Sequence, residues 1–252
     1  MGSFTGKVAL VAGGTSGIGR AAAVALAREG AKVVVAGRRK AEGGEPVRLV
    51  REAGSQGLFV RADVAKESDV RAMIEATLAE YGRLDAAFNN AGVEEDPGPL
   101  GSKGEEVYDH IMDVNVKGVW LSLKHEIPAM LRTGGGSIVN TSSVAGVIGM
   151  AGVAIYVASK HAVIGLTKAV ALEFAKEKVR VNAVSPAAID TAMFERFAGD
   201  KPELRSAVMG AHPVGRMGTP EEIADAVVWL PSDKASFVTG TALLADGGFT
   251  AA

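Results

Sequence analysis

The chain has 252 residues, 48% of them hydrophobic, a formal net charge of −2 and no cysteine. Such a chain is long enough to bury a substantial core, and its near-zero charge argues against nucleic acid as a main partner. The lack of cysteine excludes disulfides, thiolate catalysis and cysteine-ligated metals, and it fits a reducing compartment. The first residues also lack the basic and then apolar pattern of a secretion signal, so we expect a cytoplasmic protein without a membrane anchor.

The first predicted elements are a strand, a glycine-rich loop and a helix. The apolar run 7–12 is followed by the loop GGTSGIG at 13–19 and by a helical pattern at 20–29. Glycines let the backbone approach a ligand closely, and the free N–H groups and dipole of a helix start attract a pyrophosphate. The loop therefore indicates a dinucleotide site, although a simple turn between strand and helix would show the same pattern.

A second strand, predicted at 32–36, ends in Gly37, Arg38 and Arg39. In dinucleotide sites an acidic residue near this point bonds a ribose 2′-hydroxyl, whereas arginine suits a 2′-phosphate. The two arginines favour NADP(H) over NAD(H), because guanidinium groups bind phosphate through paired hydrogen bonds. The alternative is that both arginines are solvated on a loop.

Strands and helices continue to alternate along the chain. Further strands are predicted at 58–61, 85–88, 138–139, 179–184 and 241–245, and helices at 41–53, 67–81, 105–130 and 153–175. This alternation predicts an α/β fold, a Rossmann-like doubly wound parallel sheet of about seven strands with helices on both faces. No linker divides the sequence, so we expect one domain over residues 1–252. Its ligand should lie beyond the carboxyl ends of the strands, where the glycine loop, Asp63, Asn89 and Ser143 fall.

The stretch from 137 to 160 carries the candidate chemistry. A hydroxyl-rich segment ends at Ser143, and a helical pattern then places Tyr156 and Lys160 one turn apart on one face. A cation beside a phenol favours the phenolate, so we expect the pKa of Tyr156 to fall below about 10. Alone the pair is weak, because a Tyr-x-x-x-Lys spacing arises by chance about one time in seven in such a chain. We expect the apolar run 144–158 to be a buried helix and not a membrane span.

Together these motifs resemble the short-chain dehydrogenase/reductase family over nearly the whole chain. The matching residues are the Gly13-x-x-x-Gly17-x-Gly19 loop, Asp63-Val64, Asn89-Asn90-Ala91-Gly92, Asn115, and Ser143 with Tyr156 and Lys160. The resemblance implies that Tyr156 donates or accepts a proton, and that Lys160 acidifies it and holds the nicotinamide ribose. It also implies that Ser143 positions the reacting oxygen, and that the Asn115 carbonyl anchors a water in a proton path from Lys160.

The same resemblance implies the strand order 3-2-1-4-5-6-7 and a nicotinamide dinucleotide along the strand ends. Asp63 would meet the adenine and Asn89 would steady the central strands near the cofactor. The implied cofactor contacts are Gly13, Thr15, Ser16, Gly17, Ile18, Gly19, Arg38, Arg39, Asp63, Val64, Asn89, Ala91, Gly92, Tyr156, Lys160, Pro186, Ile189 and Thr191. Ile189 and Thr191 match the segment that grips the nicotinamide carboxamide.

Two positions depart from the family's pattern. Ala12 stands where the family usually has threonine, which removes a hydroxyl that typically ties the glycine loop to the Asn89 region. Ala187 follows Pro186 where glycine is usual, and this bears on the geometry of the loop there.

The predicted helices at 105–130 and 153–175 are apolar over much of their circumference. A helix that is apolar beyond one stripe buries a second face, so we expect each to pack on the sheet and on another subunit. The alternative is that loops cover these surfaces. Together with the family's tendency toward tetramers, the pattern predicts a homo-oligomer, either a tetramer or a dimer.

The segment 186–213 is the expected substrate-binding loop. Met193, Phe194 and Phe197 within it either form an apolar lid over the substrate or serve as ordinary packing. The acidic trio at 94–96 is assigned to an exposed loop in preference to the border of the substrate. The four histidines show no metal-ligand spacing, so no metal is predicted.

These residues predict reversible hydride transfer between a nicotinamide and a secondary alcohol or ketone, with Tyr156 as general acid and base and Ser143 beside it. The substrate would be a small molecule, and the apolar lid candidates indicate a neutral, hydrophobic one. An alternative from another class is a non-catalytic dinucleotide-binding regulatory or scaffolding protein, which the fold alone does not exclude. A third is an epimerase or dehydratase that uses the same tyrosine and lysine with a retained dinucleotide.

Overall fold

A computed structural model describes residues 2–199 and 202–251 of the chain, and its centre is a parallel sheet. The strands are β1 (Val8–Ala12), β2 (Lys32–Gly37), β3 (Gly57–Arg61), β4 (Ala86–Asn89), β5 (Gly136–Thr141), β6 (Val179–Pro186) and β7 (Ala242–Ala245). They form one sheet in the order β3-β2-β1-β4-β5-β6-β7, and all neighbours run parallel. The predicted fold and strand order are confirmed.

Helices connect the strands and cover the sheet. They are α1 (Gly17–Arg28), α2 (Gly44–Glu52), α3 (Glu67–Tyr81), α4 (Glu105–Met112), α5 (Gly118–Leu131), α6 (Ala154–Phe174), α7 (Ala192–Ala198), α8 (Pro202–Gly210) and α9 (Pro220–Trp229). The last three follow β6, and α9 leads back to the edge strand β7.

Both faces of the sheet are buried. Successive side chains of a strand point to opposite faces, so neighbouring residues of one strand belong to different cores. On one face Leu10 and Ile138 share a core with residues of α3, α5 and α6. On the other face Val11 and Val139 share a core with residues of α1 and α9. Helices therefore cover both faces, as predicted.

Two predicted helices differ in the structure. The segment 105–130 is divided by a π-helical turn at Asp113–Lys117 into α4 and α5. The apolar run 144–158 is not a continuous helix: a 3₁₀ turn covers Val144–Gly146, and α6 begins only at Ala154. Gly152 has a φ of +85°, a left-handed conformation that a right-handed helix does not admit.

One helical segment of the described residues, Ala154–Glu177, is long and apolar enough to cross a membrane by length and composition alone. Its residues Val163 and Ala171 belong to the core on one face of the sheet. Packing against the sheet therefore accounts for the apolar character of this helix.

Candidate active site

A cleft of about 1230 Å³ opens at the carboxyl ends of the strands. Its walls come from the segments that follow β1 to β6, so it includes the point between β1 and β4 where the order of strands in the sheet reverses. In an open α/β sheet this switch point is where ligands bind.

The glycine loop forms part of the cleft wall, with Gly13 and Gly17 at positive φ of +81° and +50°. A Cβ atom on Gly13 would lie 2.6 Å from the backbone nitrogen of Ala91, and one on Gly19 would overlap the carbonyl oxygen of Gly13. The loop residues that line the cleft are Gly13, Thr15, Ser16, Gly17 and Ile18. Because α1 begins here, the free N–H groups and the positive end of its dipole suit a pyrophosphate, while Gly19 serves the close packing beneath.

Asn90 ties this loop to the centre of the sheet, and it is a residue of the site that the sequence-based prediction does not include. Its Nδ2 donates to the carbonyl of Gly13 at 3.0 Å, and its Oδ1 accepts from the Thr141 hydroxyl at 3.3 Å. These bonds provide a link between loop and sheet that Ala12, which has no hydroxyl, cannot make. A polar residue directly after a strand end was the signal that could have identified Asn90.

Asn89 does not line the cleft, contrary to the prediction of a cofactor contact. Its amide is buried and donates to Glu126 Oε2 and to Asn140 Oδ1, both at 3.0 Å. These bonds hold the Asn89 side chain in the protein interior, between α5 and the neighbouring strand β5. Ala91 and Gly92, which follow it, line the cleft as expected.

Arginine side chains gather where β2 and β3 end. Arg38 and Arg39 both line the cleft. The Arg39 guanidinium pairs with Glu42, Nη2 to Oε2 at 2.7 Å, whereas the Arg38 carbonyl accepts a hydrogen bond from Arg61 Nε at 3.3 Å. Arg38 thus has no carboxylate partner among the described residues, whereas the charge of Arg39 is already paired.

Asp63 and Val64 also line the cleft, beside these arginines. Asp69 fixes the local backbone, because its Oδ2 accepts from the Asp63 nitrogen at 3.0 Å. Asp63 Oδ1 in turn accepts from the backbone nitrogen of Ala65 at 3.2 Å. The turn after β3 is thus held in one shape next to the cleft.

Ser143, Tyr156 and Lys160 come together in the cleft wall. Ser143 follows β5 in an extended conformation, and its Oγ accepts from the nitrogen of Ala145 at 3.2 Å. Lys160 Nζ donates to the carbonyl of Thr141 at 3.0 Å and lies 5.5 Å from the centre of the Tyr156 ring. The structure therefore brings the hydroxyl, the phenol and the ammonium to one place.

Burial has the largest effect on the pKa values of Tyr156 and Lys160. It raises the pKa of Tyr156 to about 12, while the hydrogen bond with Ser143 lowers that pKa and the Glu94 carboxylate raises it further. Burial also lowers the pKa of Lys160 to about 8. The expectation that the pKa of Tyr156 falls below 10 is wrong here, because the loss of hydration on burial outweighs the lowering by the hydrogen bond with Ser143.

Asn115 lies behind the cleft wall and does not line it. It sits buried in the π-helical turn, where its Oδ1 accepts from the Val93 nitrogen at 2.8 Å and its Nδ2 donates to the Val93 carbonyl at 3.0 Å. Nδ2 also reaches Ser159 Oγ at 3.2 Å, and Ser159 donates to the carbonyl of Tyr156 at 2.7 Å. Asn115 therefore connects the loop after β4 to the helix that carries Tyr156.

The segment after β6 runs beside the glycine loop. Pro186, Ile189 and Thr191 line the cleft, and the Thr191 methyl lies 3.3 Å from where a Cβ on Gly17 would be. Ala187 has a φ outside the left-handed region, so its replacement of the usual glycine introduces no backbone strain.

The three apolar candidates of α7 have different surroundings, although all line the cleft. Phe194 is buried with Ala198 and Met217, and its ring centre lies 6.4 Å from that of Phe197. Phe194 is thus a packing residue that also faces the cleft, while Met193 and Phe197 are only partly buried. Residues 200 and 201 of the predicted loop 186–213 lie outside the described residues.

The sequence predicts an exposed loop for the acidic trio at 94–96, and the structure differs from this prediction. All three members of the trio line the cleft, and Glu94 pairs with Arg196 of α7, Oε1 to Nε at 2.7 Å. Glu95 is only 2% exposed and accepts a hydrogen bond from the backbone of Tyr156. Asp96 alone is exposed. Nothing in the local sequence distinguishes the buried member, because its burial depends on contacts with distant segments.

Comparison with known proteins covers almost the whole chain. A protein-family model described as enoyl-(acyl carrier protein) reductase matches residues 12–250. The chain is 46% identical over 252 residues to a 2,5-dichloro-2,5-cyclohexadiene-1,4-diol dehydrogenase of Sphingobium indicum, with both chains covered in full. It is 40% identical to a cyclohexanol dehydrogenase of an Acinetobacter species, over 98% of this chain and 96% of the other.

The crystal structure of levodione reductase is similar in three dimensions, with a TM-score of 0.95. The sequence identity is 39%, and the match covers 99% of each chain. The similarity therefore extends over the sheet, the covering helices and the loops around the cleft together.

Proposed function

The chain is a member of the short-chain dehydrogenase/reductase family, and we propose that it interconverts a cyclic secondary alcohol and the corresponding ketone. As an oxidoreductase of this family it uses a nicotinamide cofactor. The observation that carries the proposal is the convergence of Ser143, Tyr156 and Lys160 on one cleft at the strand ends. The relatives give no support to a non-catalytic dinucleotide-binding protein.

Tyr156 is the proposed general acid and base. When bound, the nicotinamide supplies or accepts the hydride. A tyrosine whose pKa is raised to about 12 retains its proton at neutral pH, so it can donate that proton to a carbonyl oxygen that becomes an alkoxide. Ser143, beside the phenol, would hold the same oxygen. Because proton acceptance requires the phenolate, oxidation of the alcohol should accelerate as the pH rises through the alkaline range.

Lys160 would stabilise the phenolate form of Tyr156 and hold the nicotinamide ribose. Its pKa is lowered to about 8 by burial, so at neutral pH it still carries most of its charge. The hydrogen bond to the Thr141 carbonyl fixes the ammonium near the ring. Asn115 would contribute through its backbone carbonyl to a proton path from Lys160, and its side-chain bonds support the same region.

The cleft fits a dinucleotide because glycines stand at the positions where the backbone would approach the cofactor closely. A larger residue at Gly13 would collide with the Ala91 backbone, and both Gly13 and Gly17 have a positive φ that favours glycine. The start of α1 faces the same space. We propose that Arg38 and Arg39 bind the 2′-phosphate, so that NADP(H) is favoured over NAD(H). Titration of the protein with NADPH and NADH tests this choice, and tighter binding of NADH would contradict it.

The substrate side of the cleft supports a neutral ring compound. Met150, Met193 and Phe197 offer apolar surface there, and the nearby Glu94 carboxylate is already paired with Arg196. Relatives named for a cyclohexadiene diol and for cyclohexanol share this architecture, and from them we take the cyclic alcohol class.

We further propose a single domain of residues 1–252 in the cytoplasm, assembled into a homo-oligomer. One continuous sheet supports the single domain. Trp120 on α5 is 47% exposed and Leu172 on α6 is 82% exposed, which supports burial of these helix surfaces against further subunits. Light scattering coupled to gel filtration would measure the dimer or tetramer expected.

The experiment that tests the function is a panel of cyclic alcohols and ketones, assayed with NADP(H) and NAD(H) by nicotinamide fluorescence. Turnover should be lost in Tyr156→Phe by at least about a hundredfold, while dinucleotide binding is retained. Tyr108→Phe is the matched control, since Tyr108 is 50% exposed on α4 and does not line the cleft. Unchanged turnover in Tyr156→Phe would contradict the assignment.

A further inference from the structure

The helix that carries Tyr156 begins without a cap from its own sequence. Val153 occupies the N-cap position of α6, and no side-chain bond to the helix start comes from it. The first backbone N–H groups of a helix have no partner within the helix and need one from elsewhere. Tyr156 is the third residue of α6, at the position whose amide a capping side chain normally satisfies.

Glu95 provides that bond from a distant part of the chain. Its Oε2 accepts from the Tyr156 backbone nitrogen at 2.8 Å, across 61 residues of sequence. The carboxylate is buried, and its negative charge lies at the positive end of the α6 dipole, which strengthens the interaction.

Lys103 compensates the buried charge. Its Nζ lies 3.5 Å from Glu95 Oε1, and its side chain is only 10% exposed. The ammonium also donates to the carbonyl of Asp96, which anchors it independently of Glu95. A further backbone bond, from the Gly98 nitrogen to the Gly152 carbonyl at 2.9 Å, joins the same loop to the segment just before α6.

We propose that Glu95 is a positioning residue for the reaction: it fixes the amide of Tyr156 and so aligns the phenol with Ser143. The inference rests on the proposed function and deepens it, because it states what holds the general acid in place. Proton transfer depends on alignment to within fractions of an ångström, and a supporting hydrogen bond on the catalytic residue's own backbone controls that alignment directly.

Two substitutions separate the hydrogen bond from the space that the side chain fills. Glu95→Met fills a similar volume without accepting a hydrogen bond, and Glu95→Gln keeps an acceptor oxygen but removes the charge. We expect kcat to fall about tenfold in Glu95→Met with KM and dinucleotide affinity unchanged, and to stay within about threefold of wild type in Glu95→Gln.

Thr219→Ala is the matched control. Thr219 caps α9 with its own side chain, and neither it nor any residue of α9 lines the cleft. This variant loses the same kind of cap, so it should lower the melting temperature without changing kcat. If Glu95→Met lowers only the melting temperature and matches Thr219→Ala in kcat, or if Glu95→Gln is as impaired as Glu95→Met, the proposal is overturned.

Amide hydrogen exchange provides a readout that does not require turnover. The Tyr156 amide should exchange about tenfold faster in Glu95→Met than in wild type, and it should be unaffected in Thr219→Ala. Unchanged exchange at Tyr156 would overturn the proposal. If the wild-type protein turned over no cyclic alcohol, the proposed function would fail while the exchange result still decided the role of Glu95.

Discussion

Replacing Glu126 by glutamine should make the protein more stable above pH 7 and leave its stability near pH 4 unchanged. Glu126 lies on α5 and is fully buried beneath the sheet. Its Oε2 accepts from Asn89 Nδ2 at 3.0 Å, and its Oε1 has no hydrogen-bond partner among the described residues. Asn89 also bonds Asn140, which donates to the Thr167 hydroxyl, so the carboxyl ends a chain of buried polar groups.

Burial raises the pKa of Glu126 from 4.5 to about 7, only partly offset by the bond from Asn89. The folded protein therefore binds the proton more tightly than the unfolded chain does. The stability that the protonated carboxyl contributes is complete below pH 4.5 and is lost as the pH rises through about 7. A tenfold change in proton affinity corresponds to about 1.4 kcal/mol, so the ionised carboxylate costs about 3 kcal/mol at pH 8 to 9.

Glutamine is the neutral isostere of the protonated carboxyl and removes this cost. For a chain of this length the gain corresponds to a rise in melting temperature of roughly 6 to 12 °C at pH 8 to 9, and to little change at pH 4. Thermal unfolding of both proteins should be followed from pH 4 to 9 at one fixed protein concentration, because association of subunits also shifts the melting temperature.

Glu222→Gln serves as a control of opposite sign. The pKa of Glu222 is lowered to about 2 by its bond with Arg216, so loss of its charge should reduce stability at neutral pH. If the melting temperatures of wild type and Glu126→Gln differed by the same amount at every pH, the reasoning would be refuted. Such a result would show that Glu126 has the same proton affinity in the folded and the unfolded chain.

Three further substitutions test residues of the cleft. Glu94→Gln removes a charge that raises the pKa of Tyr156, so the alkaline rise of kcat/KM for alcohol oxidation should move to lower pH; a profile that stays in place or moves upward would contradict this. Arg38→Ala should weaken NADPH binding about tenfold and leave NADH binding unchanged, measured by fluorescence titration. Arg39→Ala should have the smaller effect, because that guanidinium already pairs with Glu42, and equal losses for both cofactors would refute the phosphate assignment.

Local sequence was enough to predict the sheet and the cleft at the carboxyl ends of its strands. The parallel sheet and its covering helices follow from the alternation of strand and helix patterns, because those periods are properties of the backbone itself. The strand order came from the resemblance to a known family. The glycine loop was equally readable, since positive φ at Gly13 is a local requirement. Ser143, Tyr156 and Lys160 were named from spacing along a single stretch, and the structure places them in one cleft.

Tertiary structure decided what burial does to those residues. The pKa of Tyr156 rises where sequence alone predicted a fall, and Asn89 turns into the core while Asn90 reaches the glycine loop. Glu95 had the appearance of a surface charge, yet it holds the amide of Tyr156 from 61 residues away. Hydration and hydrogen bonding between distant segments depend on how the whole chain packs, so no local pattern reports them.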